Sequence, residues 1–123
     1  LVETISVFDV SGKNSEKFYH GLVLGLISST METHTIKSNR ESGYGRYDVM
    51  IIPKDLTNAQ AVSLILEFKV AKEGEELKAS AHEALQQIEK RHYEAELKQA
   101  GITKIIKAGL ALSGKKVVVE WMS

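Results

Sequence analysis

The sequence predicts an α/β domain: a central mixed sheet of four or five strands flanked by helices. Three patterns predict it. An apolar stripe at fourfold spacing lies near the N-terminus, two short strand-like runs flank a glycine-rich turn, and a run of branched apolar residues precedes a long amphipathic segment and two further strands.

Ile5 to Val10 is a short apolar stretch that ends in the polar turn Ser11-Gly12-Lys13-Asn14, where Asn14 is placed to cap a helix. From Ser15 to about Thr30, Phe18, Leu22 and Leu26 recur every fourth residue, and Tyr19, Val23 and Ile27 widen the stripe, so this helix should bury a broad face. Gly21 and Gly25, unfavourable inside a helix, suggest close approach to a sheet. His34 to Ser38 and Arg46 to Ile52 read as a hairpin around Asn39 to Gly45, with Pro53 as the stop. Ala61 to Ala71 is rich in branched apolar residues and long enough to cross the middle of a sheet. A single long helix should then run from about Glu75 to about Ala100, with Leu77, Ala81, Leu85 and Ile88 buried and Gly101 ending it. Ile102 to Leu112 and Lys115 to Trp121 complete the order as two strands.

Composition narrows the function. The 123 residues, 43% of them hydrophobic, suit one domain over residues 1–123 with a single core. Sixteen basic residues balance sixteen acidic ones, so no global positive field draws in a polyanion and any such ligand must be held locally. Absence of cysteine excludes a disulfide framework and cysteine-ligated zinc, and fits a cytoplasmic protein. No apolar run approaches the ~20 residues of a membrane span. The chain opens on Leu1 rather than Met and is read as a fragment of a longer protein.

Chemistry concentrates on two strands. Alternation puts Val62, Leu64, Leu66, Phe68 and Val70 on one apolar face of the Ala61–Ala71 run, leaving Glu67 and Lys69 together on the other. Charged groups on a strand in the middle of a sheet require partners, a polar cleft or a ligand. On the preceding strand Asp48 heads the apolar run Val49 to Ile52, and antiparallel pairing would bring it beside Glu67. Two carboxylates about 4 Å apart repel by roughly 4 kcal/mol at an effective dielectric near 20. A hard divalent ion offsets that repulsion, and Mg²⁺ would take Asp48, Glu67 and the Phe68 carbonyl as oxygen donors. Lys69 would then orient water or neutralise charge on a phosphoryl group. The plainer alternative is a cross-strand ion pair beside an exposed aspartate. The four histidines never show paired metal-ligand spacing, and most charges on the long helix, Arg91 among them, read as solvent-facing pairs.

The strings Glu16-Lys17-Phe18-Tyr19-His20-Gly21, Ser38 through Asp48, and Leu66-Glu67-Phe68-Lys69 resemble the PD-(D/E)XK nuclease superfamily. They are more narrowly similar to the nuclease-like domain that follows an AAA-ATPase-like domain in a group of bacterial proteins. The resemblance implies a restriction-endonuclease-like αβββαβ core, Mg²⁺ or Mn²⁺ as cofactor, nucleic acid, foremost DNA, as substrate, and an upstream ATPase-like partner domain. It assigns Asp48 and Glu67 to the metal and Lys69 to catalysis, and it offers Glu16 on the first helix as a further ligand. Some branches place Gln and Tyr four apart on the second helix. Gln87 fits that role, whereas Tyr93 stands six residues on. Apart from the resemblance, Arg40 and Arg46 flank the glycine-rich turn, where they either clamp phosphates at the mouth of the site or belong to a solvated loop. The expected activity is metal-dependent phosphodiester hydrolysis; the alternative is a non-catalytic nuclease-fold module serving an ATPase-like domain or a protein partner. RNA as substrate and a homodimer both stay open.

Overall fold

The structure, a computed structural model, describes residues 2–6, 21, 24, 25, 28–41, 46–57, 61–71, 74–91, 93–113 and 116–123, and among these the side chains of 2–6, 39–41 and 46 are left undescribed. Six strands form one mixed sheet: β1 (Val2–Ser6), β2 (His34–Glu41), β3 (Arg46–Pro53), β4 (Val62–Val70), β5 (Lys104–Ser113) and β6 (Lys116–Met122), in the order β1-β6-β5-β4-β3-β2. The expected α/β architecture holds, with five strands in the predicted order and β1 added as a sixth along β6.

Between β4 and β5 the chain crosses over through α1 (Leu77–Lys90) and α2 (Tyr93–Gln99). β4 and β5 are parallel, which such a long crossover permits, and the other pairings are antiparallel. The single long helix expected from Glu75 to Ala100 is two helices, with Arg91 non-helical between them. Gly101, at φ 96, closes the second one in the left-handed region.

α1 lies on one face of the sheet and buries Ser80, Ala81, Ala84, Leu85 and Ile88. Its apolar residues pack with Ile65, Leu97, Ile102 and Ile105. Ile65 and Ile88 are 0% and 1% exposed, and each such burial stabilises the domain by roughly 1.5–3 kcal/mol. The opposite face gathers Tyr47, Val49, Ile51, Phe68, Leu112 and Val117, in agreement with the apolar face read from β4.

Close approach of helix to sheet occurs at Gly109. A Cβ there would sit well under 3.0 Å from the Ala81 carbonyl oxygen and the Leu85 amide nitrogen, both backbone atoms of α1. Gly21 and Gly25, expected to serve that purpose, are instead exposed helical residues with nothing within 4 Å of an added Cβ. The stripe residues Phe18, Tyr19, Leu22, Val23, Leu26 and Ile27 lie outside the described residues.

A buried cation ties the two helices to the sheet. Lys107 of β5 donates to Glu89 on α1 at 2.5 Å and to Glu94 on α2 at 2.6 Å. Burial acts to lower the Lys107 pKa, but the hydrogen bonds to Glu89 and Glu94 outweigh it and hold it above the ordinary lysine value. Hydrogen bonds from Lys107 and then Lys98 hold the Glu94 carboxyl below its ordinary value.

Candidate active site

The register places the predicted carboxylates directly opposite one another, Asp48 on β3 against Glu67 on β4. The same row continues through Gly109 on β5 to Glu120 on β6. Cross-strand partners share a face, so these positions lie beneath α1. Because Gly109 has no side chain, the helix backbone descends onto this row and brings its own polar residues to the carboxylates.

Asp48 and Glu67 are 2% and 1% exposed. Arg91, the residue that ends α1, reaches both: its Nη1 donates to Asp48 Oδ2 at 2.9 Å, and its Nη2 stands 3.8 Å from Glu67 Oε1. The two carboxylates thus converge on one positive charge. A partner was expected for such buried charges, but Arg91 was read as a solvent-facing helix residue; the end of α1 turns it inward instead. Helical spacing from Ala84 and Ile88 does place Arg91 on the sheet side, a signal hidden by the alternating charges around it.

Lys69 shares the Glu67 face, two residues along β4, and its side chain is 13% exposed. Its ammonium donates to Glu83 Oε2 at 2.7 Å and lies 3.3 Å from Glu75 Oε2. Gln87 is half-buried on α1, midway between Glu83 and Arg91 at fourfold spacing, so these three side chains form one stripe along the helix. Four residues beyond Gln87 stands Arg91, at the spacing where some branches carry Tyr; Tyr93 itself packs against the apolar cluster.

Phe68 turns its ring into the opposite core at 0% exposure, and its backbone lies between Glu67 and Lys69. Arg40 pairs with Tyr47, and Arg46 with both Glu41 and Lys69, at the same end of the sheet; their side chains lie outside the described residues. Glu16 also lies outside them. One further contact was not anticipated: His82 Nδ1 of α1 lies 2.7 Å from Glu120 Oε1, at the far end of the carboxylate row.

Two adjacent carboxylates, both hard oxygen donors, suit Mg²⁺ or Mn²⁺ in charge and ligand type. Among the described residues no cluster of three or more His, Asp or Glu forms a larger metal set. A separate cavity of about 650 Å³, lined by His34, Lys54, Asp55 and Val62 among others, sits at the opposite end of β4 and contains none of the candidate residues.

A mixed α/β sheet bearing an Asp and a Glu-x-Lys on adjacent central strands, under a crossover helix, defines a nuclease-type scaffold. The chain belongs to the PD-(D/E)XK nuclease superfamily, whose family model matches residues 14–122. Membership points to nuclease-type activity, and nucleases of this superfamily generally use divalent metals. Comparison with curated proteins and with solved structures finds no significant match. Among the described residues no helix is long and apolar enough to cross a membrane.

Proposed function

We propose that this domain hydrolyses phosphodiester bonds in DNA, with Asp48 and Glu67 holding Mg²⁺ or Mn²⁺. The observation that supports this most is the direct opposition of Asp48 and Glu67 at buried positions, both facing one positive charge. When bound, the ion supplies Lewis-acid polarisation of the phosphate and lowers the pKa of water. The Phe68 carbonyl and Glu16 are the further candidate donors. Lys69 stabilises negative charge developing on the phosphoryl oxygens, Gln87 holds the reacting groups in place from α1, and Arg40 and Arg46 clamp the flanking phosphates. RNA carries the same phosphodiester and is the alternative substrate. On the resemblance alone, we also infer a cytoplasmic setting and an upstream ATPase-like domain that would deliver the substrate.

A second reading has one observation in its favour. Arg91 supplies both carboxylates with a counter-charge from within the chain, as a nuclease scaffold kept for binding or regulation would require. Glu67→Gln separates the two. It removes a ligand charge while keeping the side-chain shape, and it relieves repulsion with Asp48 as it weakens the attraction to Arg91. Calorimetry with Mn²⁺ should show binding lost, and the melting temperature should move by no more than a few degrees. Unchanged Mn²⁺ binding removes Glu67 from the metal site and favours the second reading.

A further inference from the structure

The guanidinium of Arg91 stands where the two carboxylates converge, 2.9 Å from Asp48 and 3.8 Å from Glu67. The proposed metal needs those same oxygens. One buried pair of carboxylates cannot be close-packed against both cations, because the second adds repulsion to the first as well as competing for ligand atoms. We propose that Arg91 is a built-in counter-cation, exclusive with the divalent ion: it closes the metal-free site over Asp48 and Glu67 and withdraws when metal enters. The inference rests on the metal reading given above.

Three features support an exchange rather than a permanent bridge. Arg91 is not inside a helix; it is the residue that ends α1, with backbone angles φ −86 and ψ −6, and α2 begins two residues later at Tyr93. Its side chain is 24% exposed, whereas the carboxylates are almost fully covered, so the arginine alone has a path to solvent. Its two contacts differ in length, a 2.9 Å hydrogen bond to Asp48 and a 3.8 Å ion pair to Glu67. Lys69, on the same face, is held by Glu83 and Glu75 on α1 and in the turn before it, and Lys107 by Glu89 and Glu94. The guanidinium against Asp48 comes from the α1–α2 junction.

Competition of this kind has a thermodynamic signature. While the arginine-closed form dominates, apparent metal affinity is reduced by the fraction of molecules that are open. Removing the guanidinium should tighten metal binding, and by reciprocity metal should weaken the hold on Arg91. The same substitution strips the metal-free protein of its counter-charge, so its stability should fall only when metal is absent. A purely structural arginine would instead lower stability to the same extent with and without metal.

The test uses the intact chain and Mn²⁺ alone. Mn²⁺ titration by calorimetry should show Arg91→Met binding ~10-fold more tightly than wild type, with Asp48→Asn losing binding. The melting temperature of metal-free Arg91→Met should drop by about 5 °C, and saturating Mn²⁺ should erase the deficit. Should Arg91→Met fail to fold, the wild-type protein still decides the matter: titration with diamagnetic Mg²⁺ should move the Arg91 Nε–Hε NMR signal from its paired position to that of a solvated arginine. Equal or weaker Mn²⁺ affinity in Arg91→Met, with Asp48→Asn still losing binding, overturns the competition and leaves the metal site standing. An Arg91 signal unmoved while metal binds does the same. Failure of wild type and Arg91→Met alike to bind Mn²⁺ overturns the metal reading itself.

Discussion

Lys69→Met should lower the cleavage rate by ~10² or more while leaving metal and nucleic-acid binding largely intact, the scale expected when one preorganised charge is removed from a developing oxyanion. Methionine keeps the length of the stem and so isolates the ammonium. That ammonium also bridges Glu83 and Glu75, whose side chains are 46% and 30% exposed. Ion pairs with partners so open to solvent contribute little to stability, typically below about 1 kcal/mol, so the variant should stay folded. Glu83→Gln provides the contrast: it removes the 2.7 Å helix partner but keeps the charge on Lys69, and it should change the rate by only a few-fold. A Lys69→Met rate equal to wild type at saturating metal assigns the lysine to the ion-pair network alone and puts the binding-module reading ahead.

The largest stability effect is expected at Gly109. Valine suits a strand intrinsically, so any loss from Gly109→Val reports the contact with α1 rather than strand preference. The added Cβ would meet the Ala81 carbonyl and Leu85 amide, which cannot rotate away as a side chain can. Forcing α1 outward should cost about 3 kcal/mol, the upper part of the usual range for overpacking, and lower the melting temperature by roughly 10 °C. Because Gly109 is in register with Glu67, the shift also moves Gln87 and Arg91 off the carboxylate row, and metal affinity should fall with stability. A melting temperature within about 2 °C of wild type in differential scanning calorimetry would show that α1 does not rest on this strand.

The parts of the fold set by alternation and turn chemistry were legible in the sequence. Asp48 was placed beside Glu67 because a short polar connection between two apolar runs leaves an antiparallel pair as the simple arrangement, and β3 and β4 pair in that register. The apolar face of β4 followed from the same alternation. Features decided by distant neighbours were not legible. The break after Lys90 carries no proline or glycine, so the end of the helix is not marked, and the contact between Arg91 and Asp48 depends on how closely α1 packs on the sheet. Lys107 sits between apolar neighbours in β5, and its burial depends on Glu89 and Glu94, which it meets only after the helices fold back. Gly109 did leave a signal, since a glycine in mid-strand marks close backbone approach, whereas attention to Gly21 and Gly25 led to the wrong element. β1 is short, and its residues reach the sheet by pairing with a strand at the far end of the sequence.

Asp48 and Glu67 should serve a reaction. A mixed set of single-stranded, duplex and branched DNA with matching RNA, incubated with Mg²⁺ or Mn²⁺, tests this most directly when wild type is run beside Glu67→Gln and a chelated control. The prediction is metal-dependent cleavage of at least one DNA form by wild type, abolished by chelation and lost in Glu67→Gln. Intact substrates throughout at saturating metal, or cleavage undiminished in Glu67→Gln, would contradict it.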